Sequence, residues 1–102
     1  VENPIGGDHT RASSNQRGGF SANFINNNRN KRSVALNLKD PRGIEALMKL
    51  VESADVFVQN FRPGVVDRMG IGEDAVRRAA PKIIYVSISG VGEKGDFSHK
   101  PV

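Results

Sequence analysis

The sequence contains no cysteine, no tryptophan and only two histidines. Without thiols it has no disulfide framework, no thiolate zinc site and no cysteine nucleophile. That composition is compatible with a reducing, cytoplasmic setting. No apolar run approaches the roughly 18 residues of a membrane-spanning helix, and the N-terminus lacks the charged-then-apolar pattern of a secretory signal, so no membrane partner is expected. Apolar residues make up 37% of the 102 residues and crowd into the second half, which is where a core should form. The formal charge of +4, from 15 basic against 11 acidic residues, suits a phosphate-bearing small molecule or a nucleic acid.

Residues 1 to 30 are rich in Gly, Asn, Ser and Arg, with Asn23, Asn26, Asn27, Asn28 and Asn30 in one short stretch. This is loop chemistry without clear periodicity. A disordered leader is one reading, and Phe20, Phe24 and Ile25 argue against it, because a fully solvated tail has little use for them. From Ser33 the pattern changes: Val34, Leu36 and Leu38 alternate with Ala35 and Asn37, the period-2 signal of a strand. Asp40 then fits an N-cap with Pro41 at the first helical position. Ile44, Leu47, Met48 and Val51, widened by Leu50, form one apolar stripe, while Glu45, Lys49 and Glu52 face water.

The run from Asp55 to Phe61 predicts a buried strand that ends in the turn residues Arg62-Pro63-Gly64. A short helix over Glu73 to Ala80, stopped by Pro81, should turn Ala75, Val76 and Ala79 inward. Ile83 to Ile88 reads as a third strand. Strand, helix, strand, helix, strand at this spacing predicts an α/β chain with crossover helices and a parallel sheet. Ligands of open parallel sheets bind outside the carboxyl ends of the strands, which here directs attention to residues 37–39, 60–64 and 89–92.

Three patterns in the sequence suit binding chemistry. Gly6-Gly7-Asp8-His9-Thr10-Arg11 is a flexible turn carrying a guanidinium whose fork matches phosphate oxygens, although such turns are common and no Walker-type Gly-Lys-Ser/Thr follows. Asn30-Lys31-Arg32-Ser33 reads as a solvated basic turn, whereas Lys39, at the end of the expected first strand, is placed for a phosphate. Asn60-Phe61-Arg62-Pro63-Gly64 unites an amide, an aromatic face and a cation, which together suit a nucleotide; in the plainer alternative Phe61 is core and Asn60 caps the turn. For catalysis there is little. His9 and His99 lie in loops, Asp8 and Asp96 stand beside glycines where a turn role is the ordinary one, and no spacing forms a triad or a metal site. The expected catalytic and metal sets are both empty.

Val1-Glu2-x-Pro with Gly7-Asp8 and Thr10-Arg11, then Asn30-Lys31-Arg32-Ser33 with Leu36-Asn37-Leu38-Lys39, then Ala54-Asp55-Val56 leading to Asn60-Phe61-Arg62-Pro63-Gly64, then Asp67-Arg68-Met69-Gly70, and finally Pro81-Lys82-Ile83-Ile84-Tyr85 running to Ser87-Ile88-Ser89-Gly90 follow one another in this order. In that order and spacing the sequence resembles the class III, CaiB/BaiF-type, CoA-transferases. The resemblance implies a Rossmann-like large domain, of which this would be one piece truncated at both ends, with residues 1–32 a CoA-binding leader and 33–102 a β-α-β-α-β segment. It implies an interlocked homodimer for the complete polypeptide. It also implies CoA or acyl-CoA as substrate rather than as a resident cofactor, a carboxylic acid as acceptor, and no nucleic acid. By position Arg11, Leu36, Lys39, Asn60, Phe61 and Arg68 match places where that family holds CoA, cations near phosphates and apolar groups near adenine.

The family's transferases act through an Asp that carries mixed-anhydride and thioester intermediates, and that Asp is expected beyond Val102; the fragment alone is then expected to be inactive. A racemase branch, using a His and an Asp as acid and base, is the alternative within the family, and His99 does not match its His. Outside the family the alternative is a small basic nucleic-acid-binding module, against which the scatter of Arg and Lys argues.

Overall fold

The computed structural model describes residues 1–13, 15–92 and 94–98; His99 lies outside them. The chain forms two compact units, Val1–Asn37 and Leu38–Val102.

The first unit is built from short pieces. A 3-10 turn over His9–Ala12 starts at Asp8, whose side chain accepts from the Thr10 N–H. Strands β1 (Gln16–Arg17) and β2 (Phe20–Ser21) pair antiparallel across Gly18 and Gly19, both at positive φ (58° and 81°), as a two-residue hairpin turn of the primed type requires. Ser21 is buried and caps helix α1 (Ala22–Asn27) by accepting from the Phe24 N–H. The leader is therefore more ordered than its loop-rich composition suggests: a hairpin and a helical turn occupy it, and three of the crowded asparagines, Asn23, Asn26 and Asn27, are helical. Local side-chain capping and a Gly-Gly turn outweigh the poor helix propensity of Asn.

Residues 33–38 do not form the expected first strand. Ala35 makes a single parallel bridge with Glu2, through Glu2 N–H to Val34 O at 2.8 Å and Leu36 N–H to Glu2 O at 3.0 Å. Alternation marks an extended segment, but a strand also needs a neighbour along its length, and here the neighbour is one residue long.

The second unit follows the sequence more closely. Helix α2 (Pro41–Val51) begins where Asp40 accepts from the Arg42 N–H, with Pro41 in the first turn. Leu47 and Val51 are buried, while Leu50 is 46% exposed and does not widen the stripe. Strands β3 (Val56–Gln59) and β4 (Ile84–Ser87) pair in parallel, Val56 opposite Ile84 and Gln59 opposite Ser87. Between them lie α3 (Val65–Arg68) and α4 (Glu73–Ala79). The core gathers Val51, Val76 and Ile83, with Met48, Phe57, Ala79 and Tyr85 packed against it. Phe57 and Tyr85 stack at 5.3 Å between centroids, and the Arg77 guanidinium donates to Ile83 O, tying α4 to the start of β4.

Among the described residues only one face of this sheet is covered. Val56, Val58 and Ile84 are 48%, 57% and 60% exposed, so the apolar run that predicted a strand buried on both sides is buried on the Phe57 and Gln59 side alone. The result is a mixed helix and strand architecture with a parallel sheet. Its parallel strands both point their carboxyl ends toward residues 60–63 and 88–92.

Candidate functional site

Helix α3, absent from the sequence reading, shapes the exit from β3. After Gln59 the chain runs through Asn60 to Pro63 and turns at Gly64, whose φ of 76° suits glycine; an added Cβ there would come within 3.1 Å of the Arg68 guanidinium. Beyond β4 the chain passes through Ile88 to Gly92. These two strand exits enclose an open recess of about 250 Å³, lined by Asn60, Phe61, Arg62 and Pro63 on one side and by Ile88, Ser89, Gly90 and Val91 on the other. Phe61 is 40% exposed. An amide, an aromatic face and a guanidinium therefore stand together where a parallel sheet ends, a combination suited to stacking on a base and pairing with phosphate.

A buried polar side chain joins the two exits. Gln59, 5% exposed, donates from Nε2 to Ser87 Oγ at 2.7 Å and accepts at Oε1 from the Phe61 N–H at 2.8 Å. The Ile88 N–H donates to Gln59 O at 2.9 Å. The sequence reading passed over Gln59. Its signal was phase: in a period-2 strand it shares the covered face of Phe57, where an uncharged amide needs partners.

Of the six residues expected to meet CoA, Asn60 and Phe61 line this recess. Lys39 and Arg68 belong to the same unit but are not among the residues lining it. Because residues 33–38 are not a strand, Lys39 stands in the turn before α2 and not at a strand end.

Arg11 and Leu36 belong to the first unit, where Glu2 organises both. The Glu2 carboxylate accepts from Arg11 Nε and Nη2, each at 2.8 Å, from the Asp8 N–H at 2.9 Å and from Ser33 Oγ, while its backbone pairs with Leu36. The Arg11 guanidinium, thus held edge-on, lies 4.0 Å over the Phe24 ring, which accounts for an aromatic residue in a polar leader. Hydrogen bonds from Arg11, then Ser33 and Asp8, hold the Glu2 carboxyl far below the usual carboxylate range, and Glu2 in turn raises Arg11. Gly7 is required beside this pair: it has φ 68°, and a Cβ would fall 2.8 Å from Glu2 Oε2. A second open recess, about 340 Å³, is bordered by Glu2, Gly7, Arg11 and Ser33. Glu2 was visible in the sequence only as part of the Val1-Glu2-x-Pro pattern.

The weaker catalytic candidates have other work or no partner chemistry. Asp8 Oδ1 accepts from both the Thr10 N–H and the Thr10 hydroxyl, each at 2.8 Å, and these bonds lower its pKa. His9 is almost fully exposed, 3.6 Å from Asp8. Asp96 lies in an exposed turn. Among the described residues no group of three His, Asp or Glu side chains suits a metal ion, and no helix is long and apolar enough to cross a membrane.

Comparison with known proteins gives this geometry a family. The model of CoA-transferase family III matches residues 1–102. The chain is 44% identical over 104 residues to the succinyl-CoA:glutarate CoA-transferase of Mus musculus, covering 98% of this chain and 23% of that protein. It is 41% identical over 101 residues to the acetyl-CoA:oxalate CoA-transferase of Acetobacter aceti, covering 99% and 26%. The chain thus spans about a quarter of the length of the curated relatives it matches. Among solved structures, a Mycobacterium tuberculosis protein superposes with a TM-score of 0.89 at 31% identity, over 100% of this chain and 29% of that one. A CaiB/BaiF family protein from Brucella suis superposes with a TM-score of 0.88 at 33% identity, over 98% and 28%. A family match along the whole chain, with relatives 44% and 41% identical over 98% and 99% of it, leads to one assignment: the chain belongs to CoA-transferase family III.

Proposed function

We propose that this chain is part of an enzyme that moves CoA between acyl-CoA thioesters and free carboxylic acids, and that it supplies part of the surface that takes CoA. The observation that carries the reading is the recess at the ends of β3 and β4, where Asn60, Phe61 and Arg62 meet Ile88 and Ser89. The names of the relatives, transferases acting on succinyl-CoA with glutarate and on acetyl-CoA with oxalate, favour transfer over racemisation.

In this reading the second unit's Phe61 meets the adenine, its Lys39 and Arg68 answer phosphates, and Asn60 hydrogen-bonds the nucleotide end; Arg11 and Leu36 are the first unit's own candidates, a cation for a phosphate and an apolar group for a ring. None of these groups touches the reacting thioester. Their contribution is to hold the non-reacting end of the substrate, so that binding energy realised there orients the acyl carbon. The carboxylate that attacks that carbon and releases the CoA thiolate is a residue outside these 102. The complete enzyme is an interlocked homodimer with a Rossmann-like large domain, working in the cytoplasm, with CoA as substrate and no resident cofactor.

The test uses the polypeptide encoded by the reading frame that carries this sequence. Mixed with succinyl-CoA or acetyl-CoA and a panel of dicarboxylates, it should form the new acyl-CoA, read by chromatography, and give a saturable calorimetric response to CoA. A folded protein that binds no CoA and transfers none overturns the reading. Retention on single-stranded DNA with a steep salt dependence, unrelieved by CoA, would instead establish the nucleic-acid alternative.

A further inference from the structure

We infer that Gln59 is the positioning residue of the strand-end recess: its buried carboxamide, held between Ser87 Oγ and the Phe61 N–H, sets how the two strand exits face each other and so sets the affinity for CoA. The inference rests on the proposed CoA-binding role of the recess and adds to it a residue that lines no part of the cavity.

The argument begins with position. Gln59 is the last residue of β3, opposite Ser87, the last residue of β4. The residues that follow each of them, Asn60 and Phe61 on one side and Ile88 and Ser89 on the other, form the recess walls. Three hydrogen bonds of 2.7 to 2.9 Å meet at this one residue: side chain to Ser87, Phe61 N–H to side chain, and Ile88 N–H to backbone oxygen. Two of them fall directly on wall residues, Phe61 and Ile88.

Chemistry supports a positioning role over simple cohesion. Gln59 shares its face with the stacked pair Phe57 and Tyr85, where an apolar side chain would extend the packing without the desolvation cost of a buried amide. What an apolar group lacks is direction. A carboxamide offers a donor and an acceptor in one rigid plane, and Gln59, itself 5% exposed, directs both at part-buried bonds to the two strand exits. The backbone N–H that it fixes belongs to Phe61, the aromatic face of the recess. A wall fixed before the ligand arrives does not have to be ordered on binding.

The test measures CoA affinity by calorimetry, and melting temperature, on the polypeptide encoded by the full reading frame. Gln59→Met keeps the length of the side chain and removes both bonds; its Kd for CoA should rise about ten-fold, the loss of about 1.4 kcal/mol of binding energy. Gln59→Glu can accept from both the Phe61 N–H and the Ser87 hydroxyl, so its Kd should stay within about three-fold of the unsubstituted protein. Ser87→Ala removes one side of the clamp and should weaken binding by about three-fold. A latch with a purely structural role would lower the melting temperature and leave Kd unmoved, and that result for a folded Gln59→Met protein overturns the inference. Should Gln59→Met fail to fold, Ser87→Ala decides in the same way. An unsubstituted protein that gives no heat with CoA overturns the proposed function and this inference with it; a CoA-binding protein indifferent to the substitutions overturns this inference alone.

Discussion

The two units of the chain are held together by different physics. In the second, Leu47, Val51, Val66, Ile71, Val76 and Ile83 are buried, and Phe57 and Tyr85 of the parallel strand pair pack against Val51, Val76 and Ile83. In the first, the fully buried side chain is that of Ser21, and among the described residues no hydrophobic side chain of this unit is buried. Order there comes from hydrogen bonds around the Glu2 carboxylate and a guanidinium over an aromatic ring. The lesson is that the recess at the strand ends stands on an apolar foundation, whereas Arg11 is fixed by charge. Substitutions and solution conditions should separate the two.

The largest effect should come from the apolar side. Ile71, 1% exposed, also offers its carbonyl to the Tyr85 hydroxyl at 3.4 Å. Ile71→Ala leaves a cavity and should cost about 2–5 kcal/mol in denaturant unfolding, without disturbing hydrogen exchange at the Asp8 and Leu36 amides until the second unit opens. A cost below about 1 kcal/mol would mean that the second unit is not held by its core.

Gly72→Ala comes next. The added Cβ would lie 2.0 Å from Asp67 Oδ1 and 3.4 Å from Asp67 Cα, so the carboxylate must swing away while the backbone can stay. The cost should be about 1–3 kcal/mol, and most of it should vanish in an Asp67→Ala background, where the clashing atom is gone. A cost that is unchanged in the double variant places the clash elsewhere.

The smallest effect on overall stability, but the most selective, concerns Glu2. Glu2→Gln should speed hydrogen exchange at the Asp8 and Leu36 amides and leave the amides of β3 and β4 unchanged. Acid should do the same. Because the Glu2 carboxyl titrates far below its ordinary value in the folded chain, its contribution is fully present above the unfolded value of about 4.3 and is lost progressively as pH falls below that toward the folded value. If exchange in the first unit is equally fast at pH 7 and pH 3 after correction for intrinsic rates, the carboxylate is not what holds it.

How much of this was legible in the sequence follows the same division. The second unit announced itself through patterns that burial enforces: the Asp40-Pro41 start of α2, the 3.6-residue stripe through Leu47 and Val51, the β-prone runs at Val56 and Ile84, and the strand-end rule that located Asn60 and Phe61. Where the pattern misled, a neighbour was missing. Alternation at Val34 to Leu38 met only Glu2, and Val56 and Val58 found no cover among the described residues. The first unit was hard to read because hydrogen bonds between distant residues, such as Glu2 with Ser33, leave no periodicity. Gln59 was overlooked for a related reason: its importance lies in two partners, one of them 28 positions away.

The most direct measurement of the central claim is a titration of the isotope-labelled polypeptide with CoA, followed through its backbone amide resonances. The account predicts that Asn60, Phe61, Ser89 and Gly90 shift together and saturate with one dissociation constant, while the amides of α4, which supplies no residue to the recess, stay still. Saturable shifts that leave those four residues untouched would contradict it.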